Sequence, residues 1–132
     1  SYVESKNLQN VQFTGALFGK ELIREYQSAD IYIFPSHGEG MPNSVLEAMA
    51  FGLPVITRPV GGLVDFFEND KMGYMLESLD PKDYAEKIEY LINNIDKVNE
   101  IAHYNWDYAR EHFLASKVAV ELEKKIQTLN DN

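Results

Sequence analysis

The chain has 132 residues, of which 45% are hydrophobic and 25% charged, with no cysteine and a formal net charge of −9. That length is one domain's worth, long enough to bury a core, and the composition is that of a soluble globular protein and not a disordered one. The absence of cysteine excludes a disulfide framework, a thiolate metal site and a thiolate nucleophile, and the acidic balance argues against nucleic acid or an anionic membrane surface as partner.

In chain order, residues 11–14 ("VQFT") read as a β-rich strand stopped by Gly15. Residues 20–29 read as a helix with Leu22, Ile23 and Tyr26 on one side. Residues 30–35 ("DIYIFP") form a nearly continuous apolar run closed by proline, as expected of a strand buried on both faces. A Gly-rich loop and a helix over 44–51 follow, with Gly52 ending the helix, and residues 54–57 give the next strand. After Gly61 and Gly62 come a short helix through "LVDFFEN" and a fourth strand at 73–76. Asp80 and Pro81 open a helix as N-cap and first helical residue, and Tyr84, Ile88, Leu91, Ile92 and Ile95 form its amphipathic stripe. Helical patterns over 98–112 and 116–129 complete the chain.

Strands alternating with helices at this spacing predict an α/β fold, a Rossmann-like doubly wound parallel sheet of about four strands with extra C-terminal helices. No internal repeat or linker divides the chain. No apolar run approaches the roughly 20 residues of a membrane span and no secretory pattern opens the chain, so a cytoplasmic location is expected. The first residues, Ser1 to Glu4, lack Met, as in a fragment of a longer protein.

The stretch "SHGEGMPNSVLEAMAFGLPVI", residues 36–56, concentrates the chemistry. Ligands of open parallel sheets bind outside the carboxyl ends of the strands, and Glu39 follows such an end. The helix behind it begins near Asn43 or Ser44, and its first amides, at the positive end of the helix dipole, suit a phosphate. Gly38 and Gly40 permit close approach of the backbone to a ligand, and Pro42 stiffens the approach to the helix. Glu47 also fits a capping box with Ser44, S-x-x-E, in which it would merely bond the cap amide, and Glu39 could be a solvated loop charge. His37 has no evident role. His103 and His112 lie nine residues apart and do not make a metal pair, and Tyr104, Trp106, Tyr108 and Phe113 read as helix packing in preference to a base-stacking platform. No D-x-D, H-x-x-x-H or P-loop pattern is present, so nothing points to a metal or to P-loop chemistry.

"ADIYIFPSHGEGMPNSVLEAMAFGLPVITRPVGG" closely resembles the signature of the GT-B glycosyltransferases of family 4, the glycosyltransferase group 1 domain. The family's E-x7-E motif is met by Glu39 and Glu47, "NVQFTG" matches an upstream strand, and "GYMLESLDPKDYAEKIEYLI" matches a downstream stretch. The resemblance covers about residues 10–115. Asp65 stands where the family usually has Glu, and it is assigned no role.

The resemblance implies the C-terminal, donor-binding half of a GT-B enzyme that moves a sugar (the hexosyltransferase type) from a nucleotide-diphosphate donor to an acceptor, with retention and without a required metal or other cofactor. By the match, Glu39 contacts the transferred sugar near the reacting carbon and is the catalytic candidate. Glu47 holds the ribose hydroxyls. Gly38, Gly40, Met41, Pro42, Asn43, Ser44 and Val45 complete the donor site, with the amides of Gly40 to Val45 expected to cradle sugar and diphosphate. Residues 1–132 would then be a partial donor domain, lacking the N-terminal acceptor domain and the first two β-α units with their Arg/Lys loop. Such a fragment is expected to be inactive alone and, with an open sheet edge, to self-associate. Polysaccharide assembly, with the parent peripheral at a membrane, is the commonest setting. The acceptor stays open: glycan, lipid-linked sugar or small molecule. Other readings are a non-catalytic nucleotide-binding or interaction module and a GT-B nucleotide-sugar epimerase. A phosphorylase lacks a strong pyridoxal-phosphate lysine, and a glycoside hydrolase would leave the bare helix terminus unexplained.

Overall fold

The structure, a computed structural model, describes residues 9–36, 40, 42–113 and 124. Its elements are α1 (Gly19–Ser28), β1 (Tyr32–Phe34), α2 (Asn43–Ala50), β2 (Val55–Thr57), a 3-10 turn (Gly61–Asp65), β3 (Gly73–Met75), α3 (Pro81–Ile92) and α4 (Ile95–His112). The predicted helix over 116–129 lies outside the described residues. Among these residues no helix is long and apolar enough to cross a membrane.

The three strands are parallel and ordered β1-β2-β3. Tyr32, Val55 and Gly73 form one row, Ile33, Ile56 and Tyr74 the next, and Phe34, Thr57 and Met75 the third. Because side chains alternate between faces, Val55 and Ile56 enter different cores. Val55 packs with Val45, Ala48 and Met49 of α2 and with Leu63 of the 3-10 turn. Ile56 and Tyr74 pack on the other face with Tyr84 and Leu91 of α3 and Ile101 of α4. Helical segments thus cover both faces of β2, as a doubly wound sheet requires. The cover stops short of β1, where Ile33 is 41% exposed.

One expectation is corrected: residues 11–14 form no strand, so the sheet of the described residues has three strands and not four. The segment lies beside α1 and the open edge of β1, lining a shallow groove with Leu17, Glu25 and Tyr26, while Val11 is 44% and Phe13 71% exposed. High β-propensity expresses fit to a half-buried pleated surface, and side chains directed at solvent gain nothing from it.

Two contacts fix the layers. Gly73 has φ 135°, and a Cβ there would sit 1.8 Å from the Val55 carbonyl oxygen, so only glycine lets β3 approach β2 so closely. Asn105 of α4 is fully buried, and its Nδ2 donates to the carbonyls of Leu53 (2.8 Å) and Met72 (2.9 Å), which lie just before β2 and β3. With both partners carbonyls, the orientation of this amide is determined. Tyr104 and Tyr108 of the same helix join the α2-side core, while Val98 joins the other. Helix α4 therefore crosses the amino ends of the strands.

Replacing Asn105 by Leu keeps the volume but strands two buried carbonyls, and should cost about 2–4 kcal/mol of folding stability. Urea unfolding monitored by circular dichroism checks this, with an unchanged midpoint counting against the cross-tie.

Candidate functional site

The carboxyl ends of the strands are laced together by short polar contacts. Thr57, fully buried, places its hydroxyl between the carbonyls of Phe34 (3.1 Å) and Arg58 (3.0 Å), and the Arg58 amide donates to Phe34 at 3.4 Å. The Arg58 guanidinium reaches past β2 and donates through Nη2 to the Glu77 carbonyl, 3.1 Å away and just beyond β3. On the other side, the Gly62 amide donates to the Gly40 carbonyl at 2.8 Å, tying the Gly-Gly loop after β2 to the loop after β1. Pro35 ends β1 after a run of apolar residues, so the chain must leave the sheet here, and α2 starts within a few residues of that exit.

Helix α2 has Pro42 at its N-cap and no side-chain cap. Ser44 is therefore the second residue of the helix, where it cannot serve as the cap of an S-x-x-E box. Its hydroxyl instead interacts with the Tyr32 phenol. The capping explanation of Glu47 is thereby set aside, because Glu47 lies in the second turn. The Pro42 carbonyl accepts from the amides of Val45 (3.1 Å) and Leu46 (3.4 Å), while among the described residues nothing accepts from the amides of Asn43 and Ser44. These two N–H groups, at the positive end of the helix, are the ones available to an anion.

Glu47 is half-buried and faces α1. Ser44, Glu47 and Phe51, spaced i, i+3, i+7, form one face of α2, and Tyr26 lies along it. The Tyr26 ring stacks on Phe51 (5.2 Å, 11°) and meets Tyr32 edge-on (6.2 Å, 87°). Its hydroxyl is 3.3 Å from the Ser44 carbonyl and also within hydrogen-bonding reach of the Glu47 carboxylate. Burial raises the Tyr26 phenol well above its ordinary pKa, and the Glu47 charge and the adjacent Tyr32 add to the effect. Tyr32 is also raised by burial, with the Ser44 hydroxyl pulling it the other way and Glu47 reinforcing the rise.

Of the residues singled out from the sequence, Gly40, Pro42, Asn43, Ser44, Val45 and Glu47 are described and cluster at this edge. Gly40 and Asn43 are exposed, whereas Val45 is fully buried in the α2-side core with its amide already engaged. His37, Gly38, Glu39 and Met41 lie outside the described residues. Asp65 is exposed at the end of the 3-10 turn. His112 stacks on Tyr108 at 4.0 Å, and no group of three potential metal ligands occurs among the described residues. Tyr104, Tyr108 and Phe113 pack against the α2-side core, whereas Trp106 is 44% exposed beneath Arg110. Tyr26, Tyr32 and Arg58 were missed as site residues. A phenol on the core-facing side of a helix requires a polar partner for its hydroxyl, and that signal was present at Tyr26.

Comparison with known proteins adds three findings. The family described as "Glycosyl transferases group 1" matches residues 1–94. The capsular polysaccharide biosynthesis glycosyltransferase CapM of Staphylococcus aureus is 36% identical over 103 residues, covering 78% of this chain and 27% of CapM. Two solved structures share the fold. Anabaena Alr3699/HepE in complex with UDP-glucose superposes with a TM-score of 0.77 at 21% identity, over 96% of this chain and 35% of that one. The C-terminal domain of the glycosyl transferase group 1 family protein LpcC from Francisella tularensis gives 0.73 at 26% identity, over 85% and 58%. The fold is thus that of GT-B glycosyltransferase C-terminal domains, and the chain spans 27% of the length of CapM.

The tyrosine environment has a measurable consequence. The phenols of Tyr26, Tyr32, Tyr74, Tyr104 and Tyr108 are all raised, Tyr74 to about 12 by burial and Asp70, and Tyr104 to about 12 by its hydrogen bond to Glu68. Above about pH 10 the unfolded chain releases phenolic protons before the folded one, so stability is complete below that pH and falls as pH rises. The urea midpoint should therefore drop between about pH 10 and pH 12. In Glu47→Gln the Tyr26 phenol should titrate at lower pH, read from its ring ¹³Cζ resonance, and an unmoved titration would contradict the contact.

Proposed function

Because this chain belongs to the glycosyl transferases group 1 family, we propose that it is the donor-binding part of a retaining GT-B transferase of family 4, acting on a nucleotide-diphosphate sugar. The observation that carries this reading is the uncapped start of α2 at the carboxyl edge of β1, with Glu47 one turn behind it. The diphosphate oxygens would take the amides of Asn43 and Ser44, where hydrogen bonds and helix dipole act together. A carboxylate accepts only, so Glu47 suits a diol, and we assign it the ribose hydroxyls. Glu39, first of the E-x7-E pair, is assigned to the transferred sugar. There, a carboxylate beside the reacting carbon would stabilise the positive charge that develops as the bond to phosphate breaks. The leaving phosphate takes the electron pair, and the acceptor hydroxyl attacks on the same face, passing its proton towards that phosphate. The site needs no metal in this scheme.

The UDP-glucose held by the HepE fold neighbour supports a nucleotide sugar as ligand, and the likeness to CapM supports a glycosyltransferase parent in polysaccharide assembly; we assign that parent the hexosyltransferase type and a cytoplasmic location. We assign the uncovered edge of β1, with Phe13, Phe18 and Ile33 exposed, to the remainder of the protein or to a second copy. The 132-residue chain by itself should bind donor without transferring sugar.

Amide-resolved NMR titration with UDP, GDP, ADP and their sugar conjugates tests the reading. The expected result is shifts centred on residues 40–47 with one preferred base, weakened about tenfold or more in Glu47→Ala, as expected for a charge-assisted hydrogen bond to a diol. Shifts elsewhere, or none at millimolar ligand, would argue against a donor site in this chain.

A further inference from the structure

Helix α2 is only 8 residues long, and among the described residues no side chain caps its start. Its first turn is closed by one acceptor, the Pro42 carbonyl, which the amides of Val45 (3.1 Å) and Leu46 (3.4 Å) share. A helix this short is marginal by itself and opens first at an uncapped end. A second contact meets that turn from outside. The Tyr26 hydroxyl of α1 donates to the Ser44 carbonyl at 3.3 Å. Its ring stacks on Phe51, the residue that closes α2 (5.2 Å, 11°), and Tyr32 of β1 meets it edge-on (6.2 Å, 87°). One side chain thus touches both ends of α2 and is braced by the sheet. We infer that Tyr26 is a positioning residue that holds the first turn of α2 through the Ser44 carbonyl, and so keeps the amides of Asn43 and Ser44 ordered for an oxyanion. The inference rests on the reading of this helix start as a diphosphate site.

What matters is which group of the helix is used. A capping side chain accepts from an amide of the first turn, and each such bond takes a donor away from a ligand. A hydroxyl that donates to a carbonyl holds the turn and leaves every amide as it was. The Ser44 carbonyl can accept it, since a carbonyl oxygen has two lone pairs and the helix uses one, for the amide of Ala48. Packing alone would be served as well by phenylalanine, which keeps the ring contacts and lacks the hydroxyl. Burial raises the Tyr26 phenol well above its ordinary pKa, so the proton is present to donate at physiological pH. Val45, fully buried, anchors the core side of the same turn. The turn is therefore held towards the core by packing and towards α1 by one hydrogen bond. An anion that meets amides already in place need not order them, and the difference appears in its affinity.

The test compares the wild-type chain with Tyr26→Phe by NMR, first without ligand and then titrated with UDP. Without ligand, the Ser44 carbonyl ¹³C resonance should move in Tyr26→Phe. Amide hydrogen exchange at Val45 and Leu46 should quicken about three- to tenfold, as the loss of one hydrogen bond allows, and that at Ile56 of β2 and Ile101 of α4 by less than about twofold. UDP should bind about three- to tenfold more weakly to the variant. An unmoved Ser44 resonance, or exchange quickened as much at Ile56 and Ile101 as at Val45 and Leu46, overturns the clamp. Quickened exchange in the first turn with UDP affinity unchanged overturns the positioning role, since the contact would then serve stability alone. Should UDP at millimolar concentration leave the Asn43 and Ser44 amides of the wild-type chain unmoved, the diphosphate reading fails and the positioning role with it, whatever the exchange rates show.

Discussion

The buried amide of Asn105 is the contact on which the rest of the structure depends. It joins α4 to the backbone just before β2 and just before β3, and so fixes the amino ends of two strands with one side chain. In a low-dielectric interior each of those carbonyls would be costly if left unpaired, so the helix cannot slide or lift without exposing both. Its Oδ1 is also buried and has no partner among the described residues, a cost accepted for the geometry that Nδ2 provides. Gly52 and Gly73 serve the same junction. Gly52, at φ 78°, ends α2 where a Cβ would come within 3.2 Å of the Ala102 carbonyl oxygen of α4, and Gly73 lets β3 sit against Val55.

With the amino ends closed in this way, the variable geometry of the fold collects at the carboxyl ends. There Thr57, Arg58 and the Gly62–Gly40 hydrogen bond tie adjacent loops to one another and not to a covering helix. The start of α2 is held by packing: Val45, Ala48 and Met49 are fully buried, so the helix is anchored by its core face while its first amides face outward. A helix capped by its own serine would present the same dipole with fewer donors to spare. Among the described residues no side chain caps α2, and the Tyr26 and Tyr32 phenols engage the Ser44 carbonyl and hydroxyl in its first turn.

Much of this was legible from the sequence, and what was not has a common cause. The run "YIF" before Pro35, "PVIT" after Gly52 and "GYM" after Lys71 and Met72 identify the three strands, because parallel strands buried on both faces read as short apolar runs. The Asp80–Pro81 start of α3 is confirmed, with Asp80 accepting from the Lys82 amide at 3.0 Å. Residues 11–14 carry the same local signature as a strand, but a strand also needs a neighbour in register, which no short window contains. Asn105 reads as a surface residue in an amphipathic helix, since its two partners are 33 and 52 residues away. Ser44 and Glu47 match a capping box by spacing, yet the helix starts one residue earlier, and that displacement removes the box. Tyr26 is legible as a core residue but not as a partner of Glu47, because that pairing is made by the packing of α1 on α2.

The charge of the chain places a further constraint on how such a site can work. A net charge of −9 opposes the approach of a diphosphate, and the half-charge at a helix start acts over only about one turn. At physiological ionic strength the repulsion from distant carboxylates is screened beyond roughly 8 Å, so the long-range field neither attracts nor strongly excludes an anion. Among the described residues what remains is short-range: the amides of Asn43 and Ser44, the Glu47 carboxylate near the Tyr26 phenol, and Arg58 with its guanidinium turned towards the Glu77 carbonyl. These elements orient a ligand far better than they attract one. Under the proposed donor reading, cations supplied from beyond the described residues would strengthen the binding of a doubly charged phosphate group, while the amides of α2 and Glu47 would set how the bound molecule lies.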